Sequence, residues 1–234
     1  MMRAFILSFA AFLMAFERTE AEPDSTTDRA PILAELFTSQ GCSSCPPAEA
    51  YFETLADRED VVVIVWHVDV WDTLIHRGTS WKDPYSNPAF TTRLRWYTQS
   101  LRGTPQIFTP QAIIGGEISV IGSRTSEVET AIKNTAPALA EVSFIEGEVA
   151  VNGGGEGDVI FVRLLREHTT DVTGGENKGR VLSGKNIALQ SLVLGPWNGG
   201  SETYDLPGIG PDETCAIIVQ APRAGRVLGA RMCG

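Results

Sequence analysis

Ten residues, VVVIVWHVDV (61–70), constrain this chain more than any other stretch. β-Branched side chains crowd the run, and no polar residue breaks it before His67. A strand with one wet face alternates apolar and polar residues; a strand covered on both faces does not. The run therefore predicts a doubly covered strand of a parallel sheet, reached by helical crossovers. ILAELF (32–37) supplies a second short apolar strand. Between the two, PPAEAYFETLADRED carries Ala48, Phe52, Leu55 and Ala56 at helical spacing. A Trp- and Pro-rich loop follows over 71–87. Asn87 then caps a helix with Pro88 in its first turn and Phe90, Leu94, Tyr97 and Leu101 on one stripe.

Downstream, PQAIIGGEISVIGS reads as strand, Gly-Gly turn and strand, a β-hairpin. Ser126 and Glu129 form a capping box for a last helix ending near Pro137. The order over 32–140 is β-α-β-α-β-β-α. From Glu141 the texture changes. Short apolar runs such as DVIFVRLL, NIALQSLVLG and CAIIVQ alternate with Gly-rich turns, and helical periodicity disappears. The expected fold class is α/β over 32–140, followed by a smaller antiparallel all-β domain over 141–234. CAIIVQ and RVLGARMC flank the turn APRAG as a hairpin would, which sets Cys215 opposite Cys233. Opposed residues on antiparallel strands lie within disulfide reach, so a structural Cys215–Cys233 bond is expected.

The first 21 residues have a basic start at Arg3, an apolar run from Ala4 to Phe16 and a small-residue end at Ala21. That is the layout of a secretory signal peptide, with a polar tether over 22–31. The apolar run is short for a bilayer span. The mature chain is expected in the periplasm or secreted, where disulfides persist, and free of the membrane once the signal is removed. The net charge of -10, with no basic stripe, argues against nucleic acid and anionic lipid as partners. GRVLSGKN (179–186) nearly spells a phosphate-binding loop, but Asn186 stands where a hydroxyl is needed for magnesium and no apolar strand precedes it.

Chemistry concentrates at TSQGCSSCPPA (38–48), where Cys42 and Cys45 sit between the first strand and the first helix. A helix N-terminus offers unpaired N–H groups and a positive dipole end, both of which stabilise a thiolate. Pro46 and Pro47 disfavour helical geometry in the residue before them, so the helix is expected to start at one of them, just after Cys45. The Cys-x-x-Cys pair at this junction, within this element order, makes the chain resemble the thioredoxin superfamily. That resemblance implies a cis-proline packed against the pair before the third strand. Pro105 and Pro110 are the two possibilities; the Gln after Pro110 and the glycine turn at Gly116 favour Pro110, with Thr109 beside it lining a substrate groove.

More narrowly, AELFTSQGCSSCPPAE, HVDVWD, SWKDPYSNPAFT and TPQAIIGG, in this order, resemble an uncharacterised family of exported bacterial proteins with a thioredoxin-like domain. The stretch TLIHRGTS, in the Trp71–Trp81 loop, is longer than that pattern. The resemblance implies thiol–disulfide oxidoreductase chemistry: Cys42, exposed at the helix start, attacks a disulfide and Cys45 resolves it. Substrates would be exported proteins or small thiols and disulfides, with a separate redox partner of unknown identity. Glu35, on the strand leading to the pair, reads either as a buried proton-exchanging acid or as a strand Glu facing water or a Lys. His67 and Asp69 share a strand face; His67 reads as a hydrogen-bonded core residue, a proton relay, or a metal ligand with the cysteines. Trp71, Asp72 and Trp81 either line the groove or cover the sheet end. The motifs require no cofactor and no resident metal. Two alternatives remain: a binding or scaffold protein in which Cys42–Cys45 is a staple, and a thiolate chaperone for Cu(I).

Overall fold

The computed structural model describes residues 30–234. The expected signal peptide, and all of the tether except Ala30 and Pro31, lie outside them. The described residues form a mixed α/β structure that is mostly sheet. Its first half runs β1 (Ile32–Thr38), α1 (Pro46–Leu55), β2 (Val61–His67), α2 (Pro88–Arg102), β3 (Gln111–Ile114), β4 (Ile118–Ile121) and α3 (Thr125–Asn134). Strands alone follow: β5 (Ala140–Ile145), β6 (Glu148–Gly153), β7 (Gly157–Asp171), β8 (Val181–Trp197), β9 (Gly200–Asp205), β10 (Glu213–Gln220) and β11 (Val227–Met232).

Eight strands make one sheet in the order β11-β10-β7-β8-β2-β1-β3-β4. β1 and β2 are parallel from Ile32↔Val61 to Thr38↔His67, and both are buried throughout. The strands after residue 141 do not stand apart from this core. β8 joins β2 in parallel at Val65↔Ile187, so one sheet crosses the boundary expected at 140/141. β5, β6 and β9 form a separate three-stranded sheet.

Strand alternation sorts the core. Ile32, Ala34, Leu36, Val61, Val63 and Val65 face α1 and α3. Leu33, Phe37, Val62, Ile64 and Trp66 face the other way, against Phe90, Leu94 and Tyr97 of α2 and residues of β10 and β11. The large sheet curls, and the Val227 N–H donates to the Gly115 carbonyl at 2.9 Å. The three-stranded sheet buries Val142, Val149 and Val151 against Val159, Phe161 and Ile217 of the large one. No helix among the described residues is long and apolar enough to cross a membrane.

Two local expectations are corrected. β2 ends at His67 rather than Val70. The chain breaks there because the Thr91 hydroxyl of α2 donates to the Asp69 carboxylate and accepts from the Asp69 N–H, which holds Asp69 in a short 3-10 turn. Ser126 and Glu129 form no capping box: α3 starts at Thr125, its N-cap is Arg124, and no side chain caps it. Glu129 is taken instead by the Tyr51 hydroxyl at 2.7 Å and the Arg58 guanidinium at 2.9 Å.

Candidate functional site

Cys45 is the N-cap of α1, with Pro46 and Pro47 in the first turn. Proline is tolerated there because those N–H groups have no helical partner. Cys42 and Cys45 are joined in a disulfide with their Cα atoms 5.5 Å apart. Cys42 Sγ lies 3.3 Å from Ser44 Oγ and 3.9 Å from the Thr109 carbonyl oxygen. The Thr109–Pro110 peptide is cis, and Pro110 is buried while Pro105 is exposed in the preceding loop. The Gly122 N–H donates to the Pro110 carbonyl at 3.0 Å. A Cβ on Gly122 would stand 2.7 Å from Leu36 Cδ1 and 3.3 Å from Ala48 Cβ, so any larger residue just after β4 would have to displace the Leu36 side chain.

Cys42 was expected to be exposed. It is 1% exposed, and Cys45 is fully buried. Two segments hold the cysteine loop closed. From the 71–87 loop, Trp71 Nε1 donates to Thr109 Oγ1 at 2.8 Å and Trp81 Nε1 to Gln40 Oε1 at 3.2 Å. Asp83 of the same loop accepts from the Gln40 N–H at 2.7 Å. From the β7–β8 connection, Asn177 Nδ2 donates to the carbonyls of Gln40 and Cys42 at 2.9 and 3.0 Å. Glu176 accepts from the Ser43 N–H at 2.9 Å. Arg180 donates to Asn177 Oδ1 at 2.9 Å and so fixes which way that amide points.

A buried polar cluster lies on the α1 face of the sheet. Glu49, one helical turn after Cys45, accepts from Thr38 Oγ1 at 2.5 Å. Burial pushes the Glu49 carboxyl above its usual range, and the Thr38 hydrogen bond and His67 only partly offset this. His67 Nδ1 pairs with Asp83 Oδ2 at 2.7 Å, both groups being buried. Burial pushes the imidazole down, but the Asp83 and Glu49 carboxylates outweigh it, and its pKa stands above the ordinary value. Burial likewise acts upward on Asp83, and the His67 charge and hydrogen bonds bring it below its ordinary value. His168 packs near His67 with ring centroids 6.0 Å apart. Burial and the His67 charge push it down to about 4. A small cavity lined by Glu49, His67 and His168 runs to Glu53, Ser183 and Lys185.

Glu35 is not brought to the cysteines. It shares the opposite face of β1 with Leu33 and Phe37, where it binds Trp66 Nε1 at 2.9 Å, Arg93 Nε at 2.7 Å and the Tyr97 hydroxyl. A carboxylate buried there is explained by this ion pair in the α2 core. His67 commits Nδ1 to Asp83, while its buried Nε2 has no hydrogen-bond partner, and both cysteine sulfurs are taken by their disulfide. Among the described residues no group of three or more His, Cys, Asp or Glu side chains is arranged to hold a metal ion. Asp72 accepts from the Ser86 hydroxyl at 2.7 Å and the Asp83 N–H at 3.3 Å, inside the 71–87 loop. Cys215 and Cys233 are joined, with Cα atoms 5.0 Å apart, directly beyond the Ala216↔Met232 pair of β10 and β11.

Sequence reasoning missed Glu49, Asp83, Glu176 and Asn177. Glu49 had a signal: positions 45, 49 and 52 fall on one helix face. The β7–β8 residues had none.

Fold and site define a mixed α/β protein, mostly sheet, with a closed Cys-x-x-Cys disulfide at a strand–helix junction. The chain belongs to the family described as "Protein of unknown function (DUF1223)", which matches residues 33–220. It is similar to the X-ray crystal structure of a protein from Agrobacterium tumefaciens, a structural genomics target, at 27% identity and a TM-score of 0.71. That match covers 88% of this chain and 95% of the other. It shares its fold with HBP35 of Porphyromonas gingivalis, at 17% identity and a TM-score of 0.60, over 87% of this chain and 74% of that one. No curated protein matches it in sequence.

Proposed function

We propose that this protein is a thiol–disulfide oxidoreductase of the cell envelope, working through Cys42 and Cys45. In this reading residues 32–140 are a thioredoxin-like unit, and the strands after 141 extend its sheet and roof its active site. The observation that carries it is the position of the pair. Cys45 caps α1, and Cys42 Sγ lies 3.9 Å from the Thr109 carbonyl, beside Pro110. The helix end favours a thiolate, and the Thr109 backbone is placed to meet a substrate chain. Two disulfides among the described residues favour an oxidising compartment, in keeping with the signal-like N-terminus.

The exchange balances without a cofactor. The Cys42 thiolate attacks one sulfur of a substrate disulfide. The Cys42–substrate bond forms, and the other substrate sulfur leaves as a thiolate. Cys45 gives its proton to Glu49 and attacks Cys42 Sγ. The Cys42–Cys45 bond forms, and the second substrate thiolate leaves. Two electrons pass to the substrate, and a thiol donor of the envelope returns the pair to the dithiol. Glu49 suits the proton step because it is buried, one turn from Cys45, with a raised pKa.

A second reading rests on the 1% exposure of Cys42: a pair roofed this closely also suits a permanent staple in a scaffold protein. Trapping separates the two. Cys45→Ser, expressed with its signal and quenched in acid, is expected to carry mixed disulfides through Cys42, and Cys42→Ser none. Absence of adducts from Cys45→Ser on non-reducing gels favours the staple.

A further inference from the structure

Glu176 and Asn177 come from the β7–β8 connection, more than 130 positions beyond the cysteines, and reach the cysteine loop from outside the first unit. Asn177 is buried and holds the loop by its backbone. Glu176 does something different. Its carboxylate accepts the N–H of Ser43, the residue directly after Cys42. That hydrogen bond holds it below its ordinary pKa, so it is charged at neutral pH. A negative charge thus sits on the backbone N–H of the residue that follows Cys42.

We infer that Glu176 is a positioning residue that biases the pair toward its disulfide, making it an electron donor to partner disulfides rather than an oxidant. The inference rests on the redox reading above and assigns it a direction. The helix end contributes roughly +0.5 charge toward a thiolate, and Ser44 Oγ, 3.3 Å from Cys42 Sγ, can donate to it. Glu176 opposes both with a whole charge and withdraws the Ser43 N–H as a donor. Arg180 is engaged with Asn177 Oδ1, and His76 lies close enough to Glu176 to interact with it. A less stable thiolate means a less stable reduced form, hence a lower reduction potential. The electrons come from Cys42 and Cys45, which close their S–S bond as a partner disulfide opens into two thiols.

The test uses the mature, full-length protein with dithiothreitol as the redox probe. The equilibrium between pair and probe, and the pH dependence of Cys42 alkylation by iodoacetamide, are measured for wild type, Glu176→Gln and Glu176→Asp. Glu176→Gln keeps the shape and an acceptor but loses the charge. It is expected to lower the Cys42 pKa and to shift the equilibrium roughly three- to tenfold toward the dithiol, where tenfold corresponds to about 30 mV. Glu176→Asp is expected to stay within roughly twofold of wild type, and 1 M salt to shrink the Gln effect, because the carboxylate is partly exposed. A reducible pair with no shift in Glu176→Gln, or an equal shift in Glu176→Asp, overturns the inference alone. A pair that cannot be reduced in any folded variant overturns the redox reading and this inference with it.

Discussion

Asn177 donates to the carbonyl of Cys42 at 3.0 Å across 135 positions of sequence. The same amide nitrogen serves the Gln40 carbonyl at 2.9 Å. One side chain therefore ties both ends of the turn that carries the first cysteine to the β7–β8 connection.

Asn177→Ala leaves those two buried carbonyls without that donor, at a cost of about 1–3 kcal/mol. If the roof must open before a reductant reaches Cys42, the variant is reduced faster by dithiothreitol, by roughly tenfold for each 1.4 kcal/mol lost. Stopped-flow reduction beside urea unfolding checks this. A destabilised variant with an unchanged reduction rate shows that the roof does not gate the pair.

Glu49→Gln separates stability from activity. The folded state holds the Glu49 proton more tightly than the unfolded chain, because burial raises its pKa above 4.5. Stability attributable to this group therefore falls as pH rises from about 4.5 through the folded value, and above it the buried carboxylate is a cost. The Gln variant is expected to be at least as stable as wild type at pH 8. It should resolve mixed disulfides about a hundredfold more slowly, the low end for loss of a general base. A less stable variant with full activity contradicts the assignment.

The His67–Asp83 pair makes a separate pH prediction. The His67 pKa is raised in the fold, so its contribution is complete below pH 6.5 and is lost as pH rises through the folded value. The Asp83 pKa is lowered, so its contribution is present above pH 3.8 and is lost as pH falls through its folded value. Asp83→Asn strands a buried imidazolium and is expected to cost about 3–5 kcal/mol near pH 6. The penalty should shrink toward pH 9, where the imidazole is neutral. Urea unfolding at pH 5, 7 and 9 measures it; an equal penalty at all three contradicts an ionic pair.

Much of this architecture was legible because local patterns carry it. The apolar run from Val61 and the stripe Phe90, Leu94, Tyr97 reported a doubly covered strand and the helix on one of its faces. The turn at Pro222 reported the Cys215–Cys233 pairing. What was not legible depends on pairing across long separations. Nothing in Ile187 announces Val65 as its neighbour, since that link is a backbone ladder. The role of Glu35 stayed open because a strand has two faces, and only the packing of α1 beside Ala34 and Leu36 decides which one meets the cysteines. Cys42 was expected to be exposed because its roof is built by Asn177 and Trp81, neither of which is near it in sequence.

The most direct test of the central claim is a redox titration of the folded mature protein in graded dithiothreitol, read by alkylation and peptide mass. The account predicts that Cys42–Cys45 opens and closes reversibly as one two-electron couple while the chain remains folded. Cys215–Cys233, with Cys215 buried and Cys233 partly buried at the β10–β11 end, is expected to stay closed throughout. If Cys42–Cys45 opens only where the protein unfolds, together with Cys215–Cys233, the pair is a staple and the oxidoreductase account is wrong.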